Sequence, residues 1–431
     1  MPQHQNDLAG LTVLHMTQPV EGGVARVVSD LVRAQVSAGA RVVVASPPDP
    51  RGPRGPQGPQ GPSGGTDTPD SLVRAVTAAG AEAVRWPARR SPGPDLARET
   101  AAAGRVLSAV RPDLLHLHSA KAGLAGRLAA RGRLPTVFQP HAWSYDAASG
   151  PLARAAVRWE RYAAARWTDR VLCVSEAERA AGRRQGVRAR WAVVPNGVDT
   201  EHFSPAADSA GGSPEGSAAG SAADPSAVRA ELAALRRLAP GTPLVVCVGR
   251  LCPQKGQDIL LRAWPRVTAR LPLARLALVG DGPDRHRLLR EAPPGVVLAG
   301  PAADPRPWYL AADLVVQPSR WEGMALAPLE AMACGRAVVL SDVSGARESL
   351  PAADAARCLV PVADEVALAD ALLGLLTDPP LRAAAAKRAL THVRGRHDVR
   401  RAAADVSALY RELLAIPRPN PYPYPAERAS R

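Results

Sequence analysis

Short apolar segments and longer amphipathic segments alternate along most of this chain. The short segments are rich in valine and leucine and end at glycine, proline or a polar residue, which is typical of strands buried on both faces of a parallel sheet. The longer segments are rich in alanine and arginine and have the spacing of helices that bury one face. The predicted strands are residues 11–16, 40–45, 81–86, 112–119, 135–139, 170–175, 191–195, 243–249, 276–279, 296–300, 312–317 and 337–341. This alternation predicts an α/β protein with two doubly wound parallel-sheet domains facing a cleft.

Composition indicates where the domains begin and end. Residues 206–226 contain mainly Ser, Ala, Gly and Pro with a few acids, which is the composition of a linker. A Gly-Pro-x repeat between about residues 47 and 69 has too few triplets for a collagen helix, so we predict a disordered surface insertion there. The predicted division is a first domain over 1–204, a disordered linker over 205–226, a second domain over 227–397, a last helix over 398–416 and a disordered tail over 417–431.

The chain is strongly basic. Its 431 residues include 54 Lys and Arg against 40 Asp and Glu, which gives a formal net charge of +14 and a pI near 10.5. Such a charge favours an anionic partner, which could be a nucleotide diphosphate, anionic lipid headgroups or nucleic acid. Aromatic residues make up only 4% of the chain, and zinc-finger, RNA-recognition and helix-turn-helix signatures are absent from the sequence. We therefore expect no nucleic-acid partner.

Cysteine usage and hydrophobicity predict a cytoplasmic protein. The five cysteines are scattered and include no Cys-x-x-Cys pair, as is typical of reduced proteins. The sequence has neither an N-terminal signal peptide nor an apolar run of the roughly 20 residues that span a bilayer. The predicted helix over 151–170 carries Arg154, Arg158 and Arg161 on one face, with aromatic residues nearby. It is either a solvated basic face or a peripheral contact with the inner face of an anionic membrane.

The segment between residues 312 and 335 combines a strand, a loop and a helix. Pro328 suits the first helical position, and Gly335 suits the left-handed residue after the last turn. Glu322 is therefore expected in the loop beyond the carboxyl end of the strand, and Glu330 in the first helical turn. Sheets of this class bind ligands at that edge, and amides at a helix start favour anionic groups. The alternative for Glu330 is structural, because the helix dipole favours an acid in the first turn of any helix.

The loop after the first strand of the second domain provides two cations. Gly249 ends that strand, and Arg250 and Lys255 follow before the next helix. An arginine fork and a compact lysine charge can together neutralise a pyrophosphate, although solvated loop charges are the alternative. The other lysines of this arginine-rich chain are Lys121 and Lys387. Because lysine is so rare here, each lysine is a stronger candidate for a site residue. The segment is not a P-loop, because it lacks that spacing of glycine and lysine.

Further candidates follow the strands of the first domain. Gly22 and Gly23 lie between the first strand and its helix, where glycine lets the backbone approach a ligand, although the Gly-x-Gly-x-x-Gly fingerprint is absent. His116 and His118 alternate in one strand, and His141 follows the next strand. Satisfied packing at a strand end is the alternative for each histidine. The place of His141 at the carboxyl edge of the sheet favours a functional role.

These motifs resemble those of the retaining glycosyltransferases of family 4, which have the two-domain GT-B fold. The resemblance is carried by the Glu-x7-Glu pair, the Gly-Arg…Lys-Gly stretch and a His-Ser-x-Lys-Ala-Gly stretch. The last of these is common in members that build cell-surface polysaccharides. The resemblance implies that the first domain lies on the acceptor side, that the second binds a nucleotide sugar and that the last helix crosses back to the first domain.

The resemblance also implies roles for individual residues. Glu322 would contact hydroxyls of the donor sugar, Glu330 would hold the nucleotide ribose, and His141 would lie beside the donor sugar. The backbone near Gly300 would meet the base, and the two glycines after the first strand would face the donor phosphate and the acceptor. The implied catalytic residues are His141, Arg250, Lys255 and Glu322, and the implied nucleotide-sugar-binding residues are Gly22, Gly23, Gly249, Arg250, Lys255, Gly300, Glu322, Gly323, Met324, Ala325, Leu326 and Glu330.

The expected reaction moves a hexose or an N-acetylhexosamine from a UDP- or GDP-sugar to a hydroxyl, with retention of anomeric configuration. The acceptor would be a glycan, a lipid-linked molecule or a small molecule. The sequence contains no Asp-x-Asp pair, so we expect Arg250 and Lys255, helped by helix-start amides, to stabilise the diphosphate without a metal or another cofactor. The alternatives are a GT-B phosphorylase or sugar-nucleotide epimerase, and a non-catalytic membrane-surface assembly protein. The intact motif residues argue against the last of these.

Overall fold

The computed structural model describes residues 7–48, 71–89, 93–205 and 225–416. The predicted insertion at 47–69, linker at 205–226 and tail at 417–431 fall almost entirely outside these residues. By their contacts, the residues form two compact units. The first contains the chain up to Val174, Glu178–Val194 and the chain from Ala403 onward, and the second contains Ser175–Ala177 and Pro195–Ala402.

The first unit is built on a seven-stranded sheet. Its strands are β1 (Thr12–Thr17), β2 (Arg41–Ser46), β3 (Glu82–Arg85), β4 (Leu114–His118), β5 (Thr136–Gln139), β6 (Arg170–Cys173) and β7 (Trp191–Val193). The helices between them are α1 (Gly22–Ser37), α2 (Ser71–Ala78), α3 (Leu96–Val110), α4 (Ser119–Ala130), α5 (Gly150–Trp167) and α6 (Glu176–Arg184). All neighbouring strands are parallel, in the order β3-β2-β1-β4-β5-β6-β7.

The second unit is built on a six-stranded sheet. Its strands are β8 (Leu244–Val248), β9 (Arg275–Val279), β10 (Val296–Gly300), β11 (Leu314–Gln317), β12 (Ala337–Ser341) and β13 (Leu359–Val360). Its helices are α7 (Pro225–Glu231), α8 (Gln257–Arg270), α9 (Arg285–Glu291), α10 (Arg306–Ala311), α11 (Leu326–Ala333), α12 (Ala346–Ser349), α13 (Ala355–Cys358), α14 (Glu365–Leu376) and α15 (Pro379–Arg396), with 3-10 turns at Pro253–Lys255 and Ala352–Asp354. The strands are parallel in the order β10-β9-β8-β11-β12-β13.

The strand order reverses beside the first strand of each sheet. In the first unit β1 lies between β2 and β4, and in the second β8 lies between β9 and β11. At such a switch point the crossover helices go to opposite faces of the sheet, which leaves a crevice at the carboxyl ends of the strands. The two sheets confirm the prediction of doubly wound α/β domains.

A last helix, α16 (Val399–Leu414), covers part of the first sheet. Its residues from Ala403 onward belong to the first unit, although they follow the second unit in sequence. Tyr410 is fully buried there, in one apolar cluster with Val13 of β1 and Val137 of β5. Of the helices in the described parts of the chain, none has the length and apolarity needed to cross a bilayer.

The second unit begins at Pro195, which is earlier than the predicted limit of the first domain at residue 204. Asn196 Nδ2 donates a hydrogen bond of 2.8 Å to the Met324 carbonyl, and Val198 forms a parallel bridge with Asp398. These contacts tie the segment to the second unit. Composition could mark only the stretch that lacks large apolar residues, because it carries no information about such long-range contacts.

Helix α11 also differs from its prediction. It begins at Leu326, two residues before Pro328, so Glu330 lies just beyond the first turn and not within it. The prediction placed Pro328 at the first helical position, but proline lacks an N–H and therefore fits anywhere in the first turn. Gly335, with φ of 71°, occupies the left-handed position after the helix, as predicted.

Candidate functional site

The carboxyl edge of the second sheet brings together a lysine and an acid that are 67 residues apart. Lys255 ends the 3-10 turn after β8, and Glu322 lies in the loop between β11 and α11. Lys255 Nζ donates to Glu322 Oε1 over 2.5 Å, and Ser319 Oγ donates to the same oxygen over 2.7 Å. Glu322 is only 8% exposed, so this ion pair is less screened than one on an open surface. The two predicted residues therefore act as one charge pair.

Arg250 lies in the same loop as Lys255 but has no acidic partner among the described residues. Its backbone carbonyl accepts a hydrogen bond of 3.1 Å from Gln257 Nε2, which holds the main chain. Within the described ranges, no carboxylate lies at salt-bridge distance from its guanidinium. A Cβ at the preceding Gly249 would contact the Lys255 side chain at 3.7 Å. Within the described residues, this loop therefore carries one paired cation, Lys255, and one unpaired cation, Arg250, which is available to an anion.

Arg320, which sequence analysis did not single out, joins the two loops of this edge. Its guanidinium donates to both carboxylate oxygens of Asp258, over 2.8 and 2.7 Å. Burial alone would raise the pKa of Asp258, but hydrogen bonds from Arg320 and Arg262 lower it to about 2. Gly256 has φ of 67°, and a Cβ there would lie 2.0 Å from the Pro318 carbonyl oxygen. Only glycine therefore allows the two loops to approach this closely.

Glu330 has a different environment from Glu322. Its carboxylate accepts a hydrogen bond of 2.6 Å from the Tyr309 hydroxyl, and both residues are buried. Tyr309 belongs to α10, the helix that follows β10 and its last residue, Gly300. Gly300 has φ of 81°, and an added Cβ would meet no atom within 4 Å, so its backbone faces open space. Tyr309 is a further residue that the sequence pattern did not identify.

The backbone between the two acids is held by its carbonyl groups. The Met324 carbonyl accepts from Asn196, and a Cβ at Gly345 would lie 2.1 Å from the Gly323 carbonyl oxygen. Ala325 caps α11 with an extended backbone, and the first amides of that helix have no intrahelical acceptor. The predicted anion-favouring helix start is therefore present beside Glu322.

In the first unit, the predicted glycines lie where α1 leaves the carboxyl end of β1. Gly22 begins the helix with φ of 73°, and an added Cβ would meet no atom within 4 Å. Gly23 follows in the first turn. A backbone with open space at a switch point is suited to contact a ligand.

Histidines from three segments meet at the same edge of the first sheet. The register between β1 and β4 pairs His15 with His116, and His118 lies two residues further on the same face. His118 Nε2 lies 2.9 Å from His15 Nδ1, and His118 Nδ1 lies 3.1 Å from His141 Nε2. The structure thus joins the predicted His141 to His118, and both to His15, which the sequence pattern did not single out.

Burial keeps these histidines neutral. It lowers the pKa of His141 to about 3 and that of His15 to about 4, the latter partly opposed by a hydrogen bond to Gln35. Burial and the neighbouring histidine rings hold the pKa values of His116 and His118 well below the usual range. At neutral pH each ring therefore carries one N–H group and one lone pair.

The backbone at His141 is held in an uncommon conformation. His141 and Ala142 have φ of 55° and 94°, the left-handed region that residues other than glycine rarely adopt. The buried carboxylate of Glu178 accepts from the Ala142 N–H over 2.6 Å and from the Val174 N–H over 2.8 Å. Backbone strain that is maintained in this way is typical of functional sites. Glu178 is another residue missed by the sequence analysis.

The scarcity of lysine does not mark a site at Lys121. Its Nζ lies 2.6 Å from Glu99 Oε2, and both side chains are only 3% exposed. The second Glu99 oxygen accepts from the Arg89 N–H over 2.8 Å. This arrangement is a buried structural ion pair, while Lys387 lies exposed on α15. Of the three lysines, only Lys255 lies at a sheet edge with a predicted site residue.

Comparison with known proteins places this site in a family. Residues 21–202 match the family model described as Glycosyltransferase Family 4, and residues 242–378 match the model described as Glycosyl transferases group 1. The D-inositol 3-phosphate glycosyltransferase of Xylanimonas cellulosilytica is 32% identical over 319 residues, which are 69% of this chain and 72% of that protein. The chain belongs to glycosyltransferase family 4.

Other relatives of this family 4 chain are matched over shorter regions. The GDP-mannose-dependent monoacylated alpha-(1-6)-phosphatidylinositol monomannoside mannosyltransferase of Corynebacterium glutamicum is 34% identical over 212 residues, 46% of this chain and 50% of that protein. The chain thus spans about half the length of this relative. The crystal structure of Anabaena HepE in complex with UDP-glucose has a TM-score of 0.72 and 21% identity, covering 93% of this chain and 100% of that chain. This likeness supports the fold alone, and the predicted GT-B fold is confirmed.

Proposed function

We propose that this family 4 chain transfers a hexose or an N-acetylhexosamine from a UDP- or GDP-sugar to an acceptor hydroxyl, with retention of anomeric configuration. The observation that carries the proposal is the ion pair of Lys255 and Glu322 beside the unpaired Arg250. Glycosyl transfer requires that a departing diphosphate be neutralised and that the sugar be held as it gains positive charge. This edge offers cations for the first task and a carboxylate for the second.

The ion pair gives Lys255 two alternative partners. In this structure it is held by Glu322, but a diphosphate carries more negative charge than one carboxylate and would compete for the lysine. Arg250 is free to meet the diphosphate first. Once Lys255 turns to the phosphate, the Glu322 oxygens become available to accept from sugar hydroxyls. In this proposal the two cations supply the positive charge that a metal supplies in enzymes with an Asp-x-Asp pair.

The names of similar proteins support a range of donors and acceptors. The Corynebacterium relative is named for GDP-mannose and a phosphatidylinositol mannoside, and the Xylanimonas relative is named for D-inositol 3-phosphate. The Anabaena structure contains UDP-glucose. The proposal therefore keeps both nucleotides, together with a glycan, a lipid-linked molecule or a small molecule as the acceptor.

A panel of UDP- and GDP-sugars tests the proposal on the full chain. Because a ligand that binds only the folded state raises its stability, one donor should raise Tm more than the others. That donor should then be turned over with a hydroxyl acceptor, at the same rate in EDTA as in magnesium or manganese. Turnover that EDTA abolishes and magnesium or manganese restores would contradict the metal-independent mechanism. Release of sugar phosphate, or isomerisation without an acceptor, would instead favour a phosphorylase or an epimerase.

Helix α5 supports a second, independent part of the proposal, peripheral contact with an anionic membrane. Arg154 and Arg158 are exposed on one face of the helix, and Leu152 and Tyr162 on that helix are 62% and 45% exposed. Basic residues next to exposed apolar groups favour anionic lipid surfaces. Arg161 is engaged elsewhere, because its Nε donates to the Gln185 carbonyl over 2.5 Å.

Vesicle sedimentation tests this contact. Replacing Arg154 and Arg158 with Gln should weaken binding to anionic vesicles by roughly 1 kcal/mol per arginine and leave nucleotide binding unchanged. The matched control replaces Arg266 and Arg270, which have the same spacing and are exposed on α8. Equal vesicle binding by the wild type and both double variants would show that α5 is only a solvated basic helix.

A further inference from the structure

The histidines of the first unit belong to one continuous line of hydrogen bonds. The line runs from Gln35 on α1 through His15 and His118 to His141, with contacts of 2.7, 2.9 and 3.1 Å. Along it, neighbouring ring planes differ by 20° and 23°, and the ring centroids are 5.2 and 5.4 Å apart. Each centroid separation is longer than the corresponding nitrogen–nitrogen distance by about the diameter of one imidazole ring. The rings therefore meet edge to edge, as linear N–H to N hydrogen bonds require. We call these four residues the imidazole line.

The amide of Gln35 sets the direction of the imidazole line. Its Oε1 can only accept, so His15 must donate to it from Nε2. A neutral His15 then has its lone pair on Nδ1, which accepts from His118 Nε2. By the same reasoning His118 has its lone pair on Nδ1, which accepts from His141 Nε2. Every ring is therefore the Nε2–H tautomer, and the lone pair at the end of the line lies on His141 Nδ1.

A branch to α16 is coupled to the orientation of Gln35. Gln35 Nε2 donates to the Tyr410 hydroxyl over 3.4 Å, and that hydroxyl lies 2.6 Å from His116 Nδ1. Because a hydroxyl has a single hydrogen, it can donate to His116 only while Gln35 presents its N–H group. An inverted amide would require the hydroxyl to donate to Gln35 and would change the tautomer of His116 as well.

We propose that the imidazole line fixes His141 in one tautomer, whose Nδ1 accepts a hydrogen bond from a hydroxyl of the donor sugar. Gln35, His15 and His118 are then positioning residues, because they act through His141. The identity of the ligand rests on the proposed function, whereas the tautomer does not. A site that accepts from a hydroxyl discriminates strongly against a ligand without it, because the lone pair is left unpaired.

Two other uses of the same residues fit the geometry less well. A proton relay would have to hold a positive charge on buried rings, which burial opposes. A metal site could draw on nitrogens of His15, His116 and His118, which lie within 4.8 Å of one another. His15 Nδ1 and His118 Nε2 already share a hydrogen at 2.9 Å, and Tyr410 engages Nδ1 of His116. A metal would have to displace these hydrogen bonds.

The loop geometry supports the same role for His141. Glu178 holds the strained backbone, and His118 holds the ring, so both the position and the tautomer of His141 are constrained. A left-handed backbone at a residue other than glycine is strained, and it persists only where the surroundings enforce it. Two independent restraints on one side chain favour a positioned functional group over a packed core residue.

Nitrogen-15 NMR of the full chain with labelled histidine tests the tautomer directly. At pH 7.5, two-bond correlations should show protonated Nε2 and unprotonated Nδ1 for His15, His118 and His141. A proton on His141 Nδ1 would overturn the proposal. Binding of added Zn²⁺ that shifts the signals of His15, His116 and His118 together would also overturn it, in favour of a metal site. If the tautomer is as expected but no donor is turned over, only the proposed function fails.

Substitutions at His118 separate positioning from packing. His118→Asn keeps a hydrogen-bond acceptor near the position of Nδ1, so it should preserve the His141 tautomer. His118→Leu removes that acceptor, so both neutral tautomers of His141 should become populated. We expect His118→Leu to lose on the order of 100-fold in kcat/KM, and His118→Asn to lose much less. Gln35→Met gives a second test far from His141 and should also release the tautomer. Loss of activity in folded His118→Leu or Gln35→Met with an unchanged His141 tautomer would contradict the proposal.

Donor analogues test the direction of the last hydrogen bond. Fluorine can accept a hydrogen bond but cannot donate one. At one position of the sugar, the deoxy and fluoro analogues should therefore lose kcat/KM equally in the wild type. In His141→Leu, kcat/KM for either analogue should be no lower than for the natural donor, because the histidine that pairs with this hydroxyl is already missing. A fluoro analogue that retained the kcat/KM of the natural donor where the deoxy analogue lost it would show that His141 donates, and would overturn the proposal.

Discussion

The carboxyl edges of the two sheets have the same topology but opposite chemistry. The edge of the second sheet is charged, with Lys255 paired to Glu322, Arg320 paired to Asp258 and Arg250 unpaired. The edge of the first sheet has neutral histidine rings joined by hydrogen bonds. Charged groups attract and stabilise a diphosphate, whereas a neutral group with one defined lone pair recognises a hydroxyl without attracting charge. Under the proposed function, the charged edge is suited to a diphosphate and the neutral edge to a sugar hydroxyl.

The largest effect is expected where the charge of the second edge is removed. Lys255→Met should lower kcat about 100- to 1,000-fold, because it deletes a donor aimed at the negative charge that develops on the leaving group. Lys387→Met, which alters an exposed lysine on α15, is the matched control. Steady-state rates with the best donor measure both variants. Equal rates for the two variants would remove the basis for assigning charge stabilisation to this edge.

Acid should weaken the carboxyl edge of the first sheet before β8 and β11 of the second, although burial also lowers the pKa of His397 in the second unit, to about 4. The folded pKa of His15, about 4, lies below the ordinary value of 6.5, so the unfolded chain binds its proton first as the pH falls. The stabilisation is complete above about pH 6.5 and lost towards pH 4, and it amounts to roughly 3 kcal/mol for this residue alone. Asp258, with a folded pKa of about 2, contributes stability that is complete above about pH 4 and lost only towards pH 2.

Hydrogen exchange followed by mass spectrometry between pH 7.5 and 5 measures this difference. After correction for the intrinsic rates, peptides from β1 and β4 should lose protection while peptides from β8 and β11 keep it. Simultaneous loss in the peptides from both pairs of strands, or earlier loss in those from β8 and β11, would contradict the contrast between neutral and charged edges.

Substitutions of Glu322 and Glu330 in the second unit should have different effects on binding and on kcat. Glu330, held by Tyr309, is assigned to the ribose, which changes little during reaction, so Glu330→Gln should weaken UDP or GDP and the full donor alike by roughly 1.5–3 kcal/mol. Glu322→Gln should leave the affinity for free nucleotide nearly unchanged and lower kcat. Calorimetry with the nucleotide and its sugar conjugate, together with rates, measures both. Equal weakening of plain nucleotide by the two variants would refute the separate assignments.

The smallest effect concerns the strained loop of the first edge. Ala142→Gly should raise the free energy of unfolding by about 1 kcal/mol or less, because glycine adopts the left-handed conformation without strain but gains freedom in the unfolded chain. The same change should lower kcat slightly by loosening His141. Thermal denaturation and rates measure the two effects, and Ala79→Gly, at the end of α2, serves as a control. A loss of stability as large as that of the control would mean that the conformation at Ala142 is not strained.

Local patterns predicted every described strand except the two-residue β13 (Leu359–Val360), and the residues that follow those strands. Glu322, Lys255 and His141 each stand just beyond a strand, so topology alone brings them to a sheet edge. Partners that depend on tertiary packing could not be predicted in this way. Tyr410 lies 294 residues from His116, and Arg320 lies 62 residues from Asp258.

The contact of His15 with the other histidines did leave a signal in the sequence. His116 and His118 alternate in a strand, so they share a face, and a neighbouring parallel strand with its own histidine could extend the set. His15 is that residue, but only the register between β1 and β4 determines that it lies opposite His116. The start of the second unit at Pro195 could not be read from composition for a related reason, because the bond from Asn196 to Met324 has no counterpart in local composition.

The position of α16 has a consequence for synthesis of the protein. On the ribosome, the strands of the first unit emerge early, but the helix that buries Val13 and Val137 is made only after the whole second unit. Until then the nascent sheet exposes an apolar face, and such surfaces favour aggregation or binding by chaperones. Tyr410 arrives with the same helix, so Gln35 gains this partner last. A polypeptide interrupted before residue 403 would therefore expose this apolar face and lack the hydrogen bond from Gln35 to Tyr410.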